Sequence, residues 1–204
     1  MDLTYVINLE ARPDRLEQVR AELQTLGWSW ERVNAVHAPL RGALGCALSH
    51  SVALRRFLAS PPTARHALVL EDDVTFTRDP RPDMARFLTD YAGKGDSEEW
   101  DVLMLASNTV QEVGAPQEYL TRILDAQTTS AYAVSRRFAP TLLARFDQSA
   151  RALMWSTTVE PQFCCDIAWK SLQPQSRWFC LAPKAAIQRP GYSDIEGRVT
   201  NYNV

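Results

Sequence analysis

Three consecutive carboxylates, Glu71-Asp72-Asp73, end the apolar run Ala67-Leu68-Val69-Leu70. A strand that stops in this way delivers negative charge to a sheet edge, and open α/β sheets bind ligands outside the carboxyl ends of their strands. If the pleat continues through the triplet, Glu71 and Asp73 project to one side and Asp72 to the other. Two hard oxygen donors on one side suit Mg²⁺ or Mn²⁺. Without a cation, crowding would raise the pKa of at least one of the three. The competing reading is a solvated acidic turn paired with nearby arginines, and the triplet alone does not separate the two. Arg12 and Arg15, near the start of the first helical segment, either add positive charge to a phosphate pocket or are solvated surface residues.

The elements that must position these groups follow from hydrophobic spacing. Tyr5-Val6-Ile7 is a short apolar run. Leu16, Val19, Leu23 and Leu26 then recur at helical spacing, with Gly27 as a stop. Trp28 to Val36 has room for a second strand. Gly42 to Leu58 reads as a helix ended by Pro61-Pro62. Gly42 and Gly45 either let the backbone approach a phosphate or serve helix entry and close packing, and their pattern is far short of a P-loop. Ala67 to Leu70 and Val102 to Leu105 are apolar at every position, which suits strands covered on both faces. Thr128 to Val134 reads as a strand, Arg136 to Phe146 as a helix, Ile167 to Leu172 as a short helix and Phe179 to Leu181 as a last strand. Alternating strands and helices predict an α/β fold with a mostly parallel sheet flanked by helices. The expected division is one domain over 1–190 and a polar tail over 191–204.

At 204 residues the chain can bury one substantial core. A net charge of −2 gives no footprint of general nucleic-acid binding. Met1 to Asn8 lacks the basic and long apolar regions of a signal peptide, and no run is long enough to span a bilayer. Cys46, Cys164, Cys165 and Cys180 form no CxxC pair, so reduced thiols are expected. The expected setting is cytoplasmic, or peripheral at a membrane surface. His37 and His66 have no motif around them. The six tryptophans read as core and cleft material rather than a cofactor box, and Trp155 and Trp169 are candidates for stacking on a ligand ring.

Three blocks stand in order: Tyr5-Val6-Ile7-Asn8-Leu9 with Arg12-Pro13-Asp14-Arg15, then Gly42-Ala43-Leu44-Gly45-Cys46-Ala47-Leu48-Ser49-His50, then Leu68-Val69-Leu70-Glu71-Asp72-Asp73-Val74. Together they resemble glycosyltransferase family 25. The likeness is clearest over Leu3 to Phe76 and weaker through Thr128 to Ser135 and at Cys165-Asp166. It implies a single-domain GT-A-like fold and an inverting transfer of a hexose, galactose or glucose. The implied donor is a UDP-sugar, the acceptor a glycan or protein hydroxyl, and the cofactor Mn²⁺ (or Mg²⁺). By that likeness Asp73, with Glu71, ligates the metal. Asn8, Arg12, Arg15, Ser49, His50, Glu71 and Asp72 contact the donor.

An inverting displacement needs a base for the acceptor hydroxyl, and the likeness points to Asp166. The alternative for Asp166 is an N-cap of the short helix. Asp194 and Glu196 are second candidates, against a solvated tail. GT-A enzymes often recruit a C-terminal histidine to the metal. No histidine follows His66 here, so Gln188, an acidic tail residue or water takes that place. Two other classes stay open: a catalytically silent nucleotide- or sugar-binding module, and a metal-dependent nucleotidyltransferase. The latter would usually show a Gly-rich phosphate loop near the first strand.

Overall fold

The structure, a computed structural model, describes residues 1–91, 100–156, 158, 160–193 and 198–200. In chain order the elements are β1 (Leu3–Asn8), α1 (Pro13–Thr25), β2 (Glu31–Asn34), α2 (Gly42–Ala59), β3 (His66–Glu71), β4 (Val74–Phe76) and α3 (Arg81–Asp90). There follow β5 (Val102–Met104), β6 (Asn108–Gln117), β7 (Leu120–Gln127), β8 (Ala131–Ser135) and α4 (Ala139–Trp155). Then come α5 (Cys165–Ala168), β9 (Trp178–Leu181), β10 (Ala186–Gln188), β11 (Gly191–Ser193) and β12 (Arg198–Thr200).

Eight strands form one sheet in the order β2-β1-β3-β8-β5-β9-β7-β6. The strands β2, β1, β3, β5, β9 and β6 run one way, while β8 and β7 run the other. The sheet is therefore mostly parallel and flanked by helices, as expected. The reversed β8 separates two parallel groups, and the β6–β7 hairpin was not legible in the apolar pattern. Its alternation is weak: in β7 only Leu120, Ile123 and Ala126, every third residue, are buried.

The period of two along each central strand divides the core between the two sheet faces. Tyr5, Ile7, Ala67 and Val69 pack with Leu44, Leu54 and Phe57 of α2 and with Leu142 and Phe146 of α4. Val6, Leu68 and Leu70 pack with Val19 and Leu23 of α1 and with Met84 and Phe87 of α3. Apolar residues at every position are thus required, because both faces are covered. Helix α4 runs well past the expected Phe146, and Trp169 lies at the centre of the core. It is fully buried, with Nε1 donating to the Ala126 carbonyl at 3.0 Å. That excludes the expected ring stacking for Trp169. Trp155, at the end of α4, is 84% exposed.

The strands that matter for the site are β2-β1-β3. The chain leaves β1 to pair on one side with β2 and then crosses to the other side for β3. This reversal opens a crevice at the carboxyl ends of β1 and β3. Helix α2 holds one wall by close packing. A Cβ placed on Gly45 would stand 2.7 Å from the Val36 carbonyl oxygen. Ser49 Oγ accepts from the Val36 N–H at 2.8 Å and donates to the Gly45 carbonyl at 2.6 Å. Gly45 therefore serves close approach to the loop after β2. Gly45→Ala should destabilise the protein by about 1–3 kcal/mol through overpacking, measured by urea denaturation. An unchanged midpoint would show that the loop yields freely.

Candidate active-site cleft

The crevice holds a cleft of about 290 Å³, lined by the loops that follow β1, β2 and β3 and by the first turns of α2. Arg12, Arg15, Ser49, His50, Glu71, Asp72 and Asp73 line it, as do Cys46, Gln188 and Arg189. Asn8 is buried beside it and reaches it through Asp72. The topology thus gathers the three sequence blocks at one sheet edge.

The triplet does not follow the pleat. Strand β3 ends at Glu71, and Asp72 and Asp73 occupy a turn. The expectation that Glu71 and Asp73 share a side is corrected accordingly: the turn swings both aspartates to Arg15. Its Nη1 lies 3.1 Å from Asp72 Oδ1 and 3.2 Å from Asp73 Oδ2. Asn8 Nδ2 donates to Asp72 Oδ2 at 2.7 Å and to the Arg12 carbonyl at 3.0 Å, which ties the loop after β1 to the triplet. Gln188 Nε2 donates to Asp73 Oδ2 at 3.2 Å. It arrives there because β10 pairs antiparallel with β4, with Gln188 opposite Val74. Among the described residues, Asp73 Oδ1 and Asn8 Oδ1 are buried acceptors without a hydrogen-bond partner.

Glu71 turns the other way. Its Oε1 takes a hydrogen bond from Thr129 Oγ1 at 2.6 Å and lies 3.0 Å from His50 Nε2. The other ring nitrogen of His50, Nδ1, is 3.1 Å from Tyr132 Oη. His50 is 1% exposed, so both ring nitrogens are committed inside the protein. Ser49 and His50 border the cleft, but their polar atoms hold the wall and orient Glu71.

Charge is distributed unequally over the three acids. Burial pushes the Glu71 pKa up, but its bonds to His50 and Thr129 outweigh that and hold it below the ordinary value. Burial also opposes a charge on His50, yet bonding to Cys46 and Glu71 raises its pKa to about 10. Burial raises Asp72 against the opposing effects of Asn8 and Arg15. Burial, then the negative charge of Glu71, push Asp73 up to about 7 despite Arg15. One guanidinium does not balance the cluster. A buried, partnerless carboxylate oxygen on the acid that most resists ionisation is where an added cation relieves the largest penalty.

Arg12 forms a fork on Asp14, with Nε to Oδ1 at 3.1 Å and Nη2 to Oδ2 at 2.9 Å. Asp166 does not line the cleft and is not the N-cap of α5. That position belongs to Cys164, and Asp166 sits in the first turn. Burial and the charge of Glu71 raise its pKa, while the Thr128 amide hydrogen-bonds its carboxylate. Thr128 holds φ at 91°, a left-handed conformation costly for a β-branched residue. Sequence reasoning does not find Thr129 and Tyr132, because strand pairing of β8 with β3 brings Thr129 to Glu71 and Tyr132 to His50. His37 lines the cleft, whereas His66 stacks on Trp100 with centroids 5.1 Å apart. Gly191–Ser193 pairs with Arg198–Thr200, and Gly191 and Thr200 border the cleft. Asp194 and Glu196 lie outside the described residues. Among the described residues no helix is long and apolar enough to cross a membrane.

No family model and no curated protein sequence matches the chain. Among solved structures, mannose-1-phosphate geranyltransferase from Thermus thermophilus matches at 12% identity and a TM-score of 0.43, over 93% of this chain and 75% of that one. A glycosyltransferase involved in glycosylation of the major capsid of PBCV-1 matches at 10% identity and a TM-score of 0.42, over 96% of each chain. The 4-diphosphocytidyl-2C-methyl-D-erythritol synthase of Anaerococcus prevotii matches at 9% identity and a TM-score of 0.42, over the whole of this chain and 75% of that one. Likeness at this level carries no inference about chemistry.

The raised pKa of Asp73 has a signed consequence. Its folded value of about 7 lies above the ordinary 3.8, so the native state holds this proton more tightly than the unfolded chain. The destabilisation is absent below the ordinary value, grows as pH rises, and is complete above about pH 7. Asp73→Asn should therefore raise the melting temperature of the metal-free protein above about pH 7, with the gain shrinking in acid. A lower melting temperature at all pH values would show that the bond to Arg15 dominates.

Proposed function

We propose that the chain is an inverting glycosyltransferase of GT-A-like fold. It moves a hexose, galactose or glucose, from a UDP-sugar to a hydroxyl acceptor on a glycan or hydroxylysine-containing protein. The observation that carries this reading is the partnerless, buried Asp73 Oδ1 in a cleft that Arg12 and Arg15 also line, with Arg15 on both aspartates. Oxygen donors with unbalanced negative charge fit a hard divalent ion, Mn²⁺ or Mg²⁺. Asp73 would hold it, with Glu71 or Asp72 sharing it or meeting the ribose. The order of the three sequence blocks supports the choice of sugar transfer over other diphosphate chemistry.

When bound, the ion supplies Lewis-acid stabilisation of a departing diphosphate. The remaining work falls to the protein. Arg12 and Arg15 supply positive charge to phosphate oxygens. Asn8 fixes Asp72 at 2.7 Å and so sets the carboxylate's orientation. His50 and Thr129 fix Glu71 in the same way. Asp166 is the proposed base on the family resemblance and on a pKa raised through burial and the nearby Glu71, although it stands outside the cleft lining in this structure. Gln188 Nε2 donates to Asp73 Oδ2 at 3.2 Å, and this nearness supports Gln188, rather than an acidic tail residue or water, as the substitute for a C-terminal ligand.

One observation favours a second reading, a silent nucleotide-binding module. Arg15 already bridges Asp72 and Asp73, as a structural ion pair would. Incubation with Mn²⁺ and single UDP-sugars, with and without acceptors, separates the two through release of UDP. The expected result is metal-dependent release that falls by about 100-fold or more in Asp73→Ala, the scale for lost electrostatic stabilisation of a transition state. UDP binding without turnover on any acceptor would establish the silent module. Pyrophosphate release from UTP and a sugar phosphate would establish nucleotidyl transfer. Asp166→Asn should lose transfer yet retain donor binding, and equal loss of both would remove Asp166 as the base.

A further inference from the structure

Cys46, His50 and Glu71 present a sulfur, a ring nitrogen and a carboxylate oxygen that all lie within 4.8 Å of one another. Cys165 Sγ stands 3.7 Å from Cys46 Sγ, and no disulfide joins them. Two thiolates on one tetrahedral zinc, with Zn–S near 2.3 Å, stand about 3.8 Å apart. Helices α2 and α5 already hold the sulfurs at that spacing.

The surroundings are organised as a metal's outer shell would be. A ligating histidine usually bonds a polar partner through its other ring nitrogen, which fixes the ring and the tautomer. Tyr132 Oη does this at His50 Nδ1 and directs Nε2 toward Glu71. Thr129 Oγ1 likewise anchors Glu71. Cys46, His50 and Glu71 all border the cleft, which gives an ion a path from solvent.

We propose that Cys46, His50 and Glu71 form a thiolate site for a soft divalent cation of the zinc class, which Cys165, 3.7 Å from Cys46 through sulfur but outside the set whose donor atoms all lie within 4.8 Å, joins as fourth ligand by a side-chain adjustment. Thiolate and imidazole select zinc, whereas oxygen-only sites suit magnesium and manganese. This site and the Asp73 position therefore discriminate between metals. Loading deprotonates both thiols and His50 Nε2 and releases those protons to solvent, and the hydrogen bond from Nε2 to Glu71 gives way to one bond from each residue to the ion. The ion would brace α2, α5 and the end of β3, and with Glu71 engaged there Asp72 is the acid left to share the harder ion with Asp73.

Titrating the full chain with Co²⁺, then with Zn²⁺, tests this. The expected result is one cobalt per chain with strong thiolate-to-cobalt charge-transfer absorption, displaced by equimolar zinc and untouched by excess Mn²⁺. Cys46→Ala should remove about half of the absorption and weaken zinc by about 100-fold or more, and Tyr132→Phe should weaken it by about 10-fold. Cys165→Ala should halve the charge-transfer intensity, and Asp73→Asn should leave it intact. Circular dichroism checks folding, and the nearly isosteric Cys46→Ser replaces the alanine variant if that one unfolds. Failure to bind cobalt, binding without thiolate absorption, or absorption undiminished in folded Cys46→Ala or Cys46→Ser would each overturn the proposal. The readout is metal chemistry alone, so its failure is distinguishable from a failure of sugar transfer.

Discussion

Three adjacent carboxylates buried at the end of one strand repel one another, and the surrounding structure divides that charge. The turn after Glu71 sends the first acid toward His50 and Thr129 and the other two toward Arg15. Each acid thereby gains a partner, but the sum is incomplete. Asp73 keeps a pKa of about 7, and one of its oxygens has no hydrogen-bond partner. An arrangement of this kind is poorly suited to stability alone. A fully satisfied cluster would stabilise the fold further, and the deficit that remains favours a positively charged ligand.

The fold makes such a cluster tolerable by placing it at the reversal of strand order. Strands β1 and β3 are covered on both faces, so their side chains are wholly committed to two cores. Only their carboxyl ends are open to a ligand. Close packing of α2 against the loop after β2, through Gly45 and Ser49, sets the width of the opening. The block from Gly42 to His50 thus acts mainly as scaffold: Ser49 fixes a wall and His50 fixes an acid. Its residues border the cleft, yet their hydrogen bonds point into the protein.

The β7–β8 corner completes the design from the opposite side. Thr128 takes a strained conformation, and its amide meets Asp166, while Thr129 meets Glu71. The negative charge of Glu71 also raises the pKa of Asp166, which does not line the cleft. His50, Glu71, Thr129 and Tyr132 form one buried polar network, and Cys46 and Cys165 lie against it. Networks of this kind are costly when partly satisfied, so a change at one member should be felt by the others.

The sequence by itself determined the α/β class, the central strands and the concentration of acids after Leu70. Continuous apolar runs have one stable solution, burial on both faces, and a run that stops in carboxylates marks a strand end. The blocks around Asn8, Arg15, Ser49 and His50 stood out only through their order and the resemblance it carries, since each residue taken singly reads equally well as structural or solvated, and the structure gathers them at one cleft. Tertiary structure decided the rest. The direction of each carboxylate depends on a turn whose geometry Arg15 and Asn8 enforce from distant positions. Gln188, Thr129, Tyr132 and Cys165 join the site only through strand pairing and helix packing, interactions between segments more than fifty residues apart in the chain. Periodicity reports which face a residue shows to the core, and it carries no information about which partner waits there.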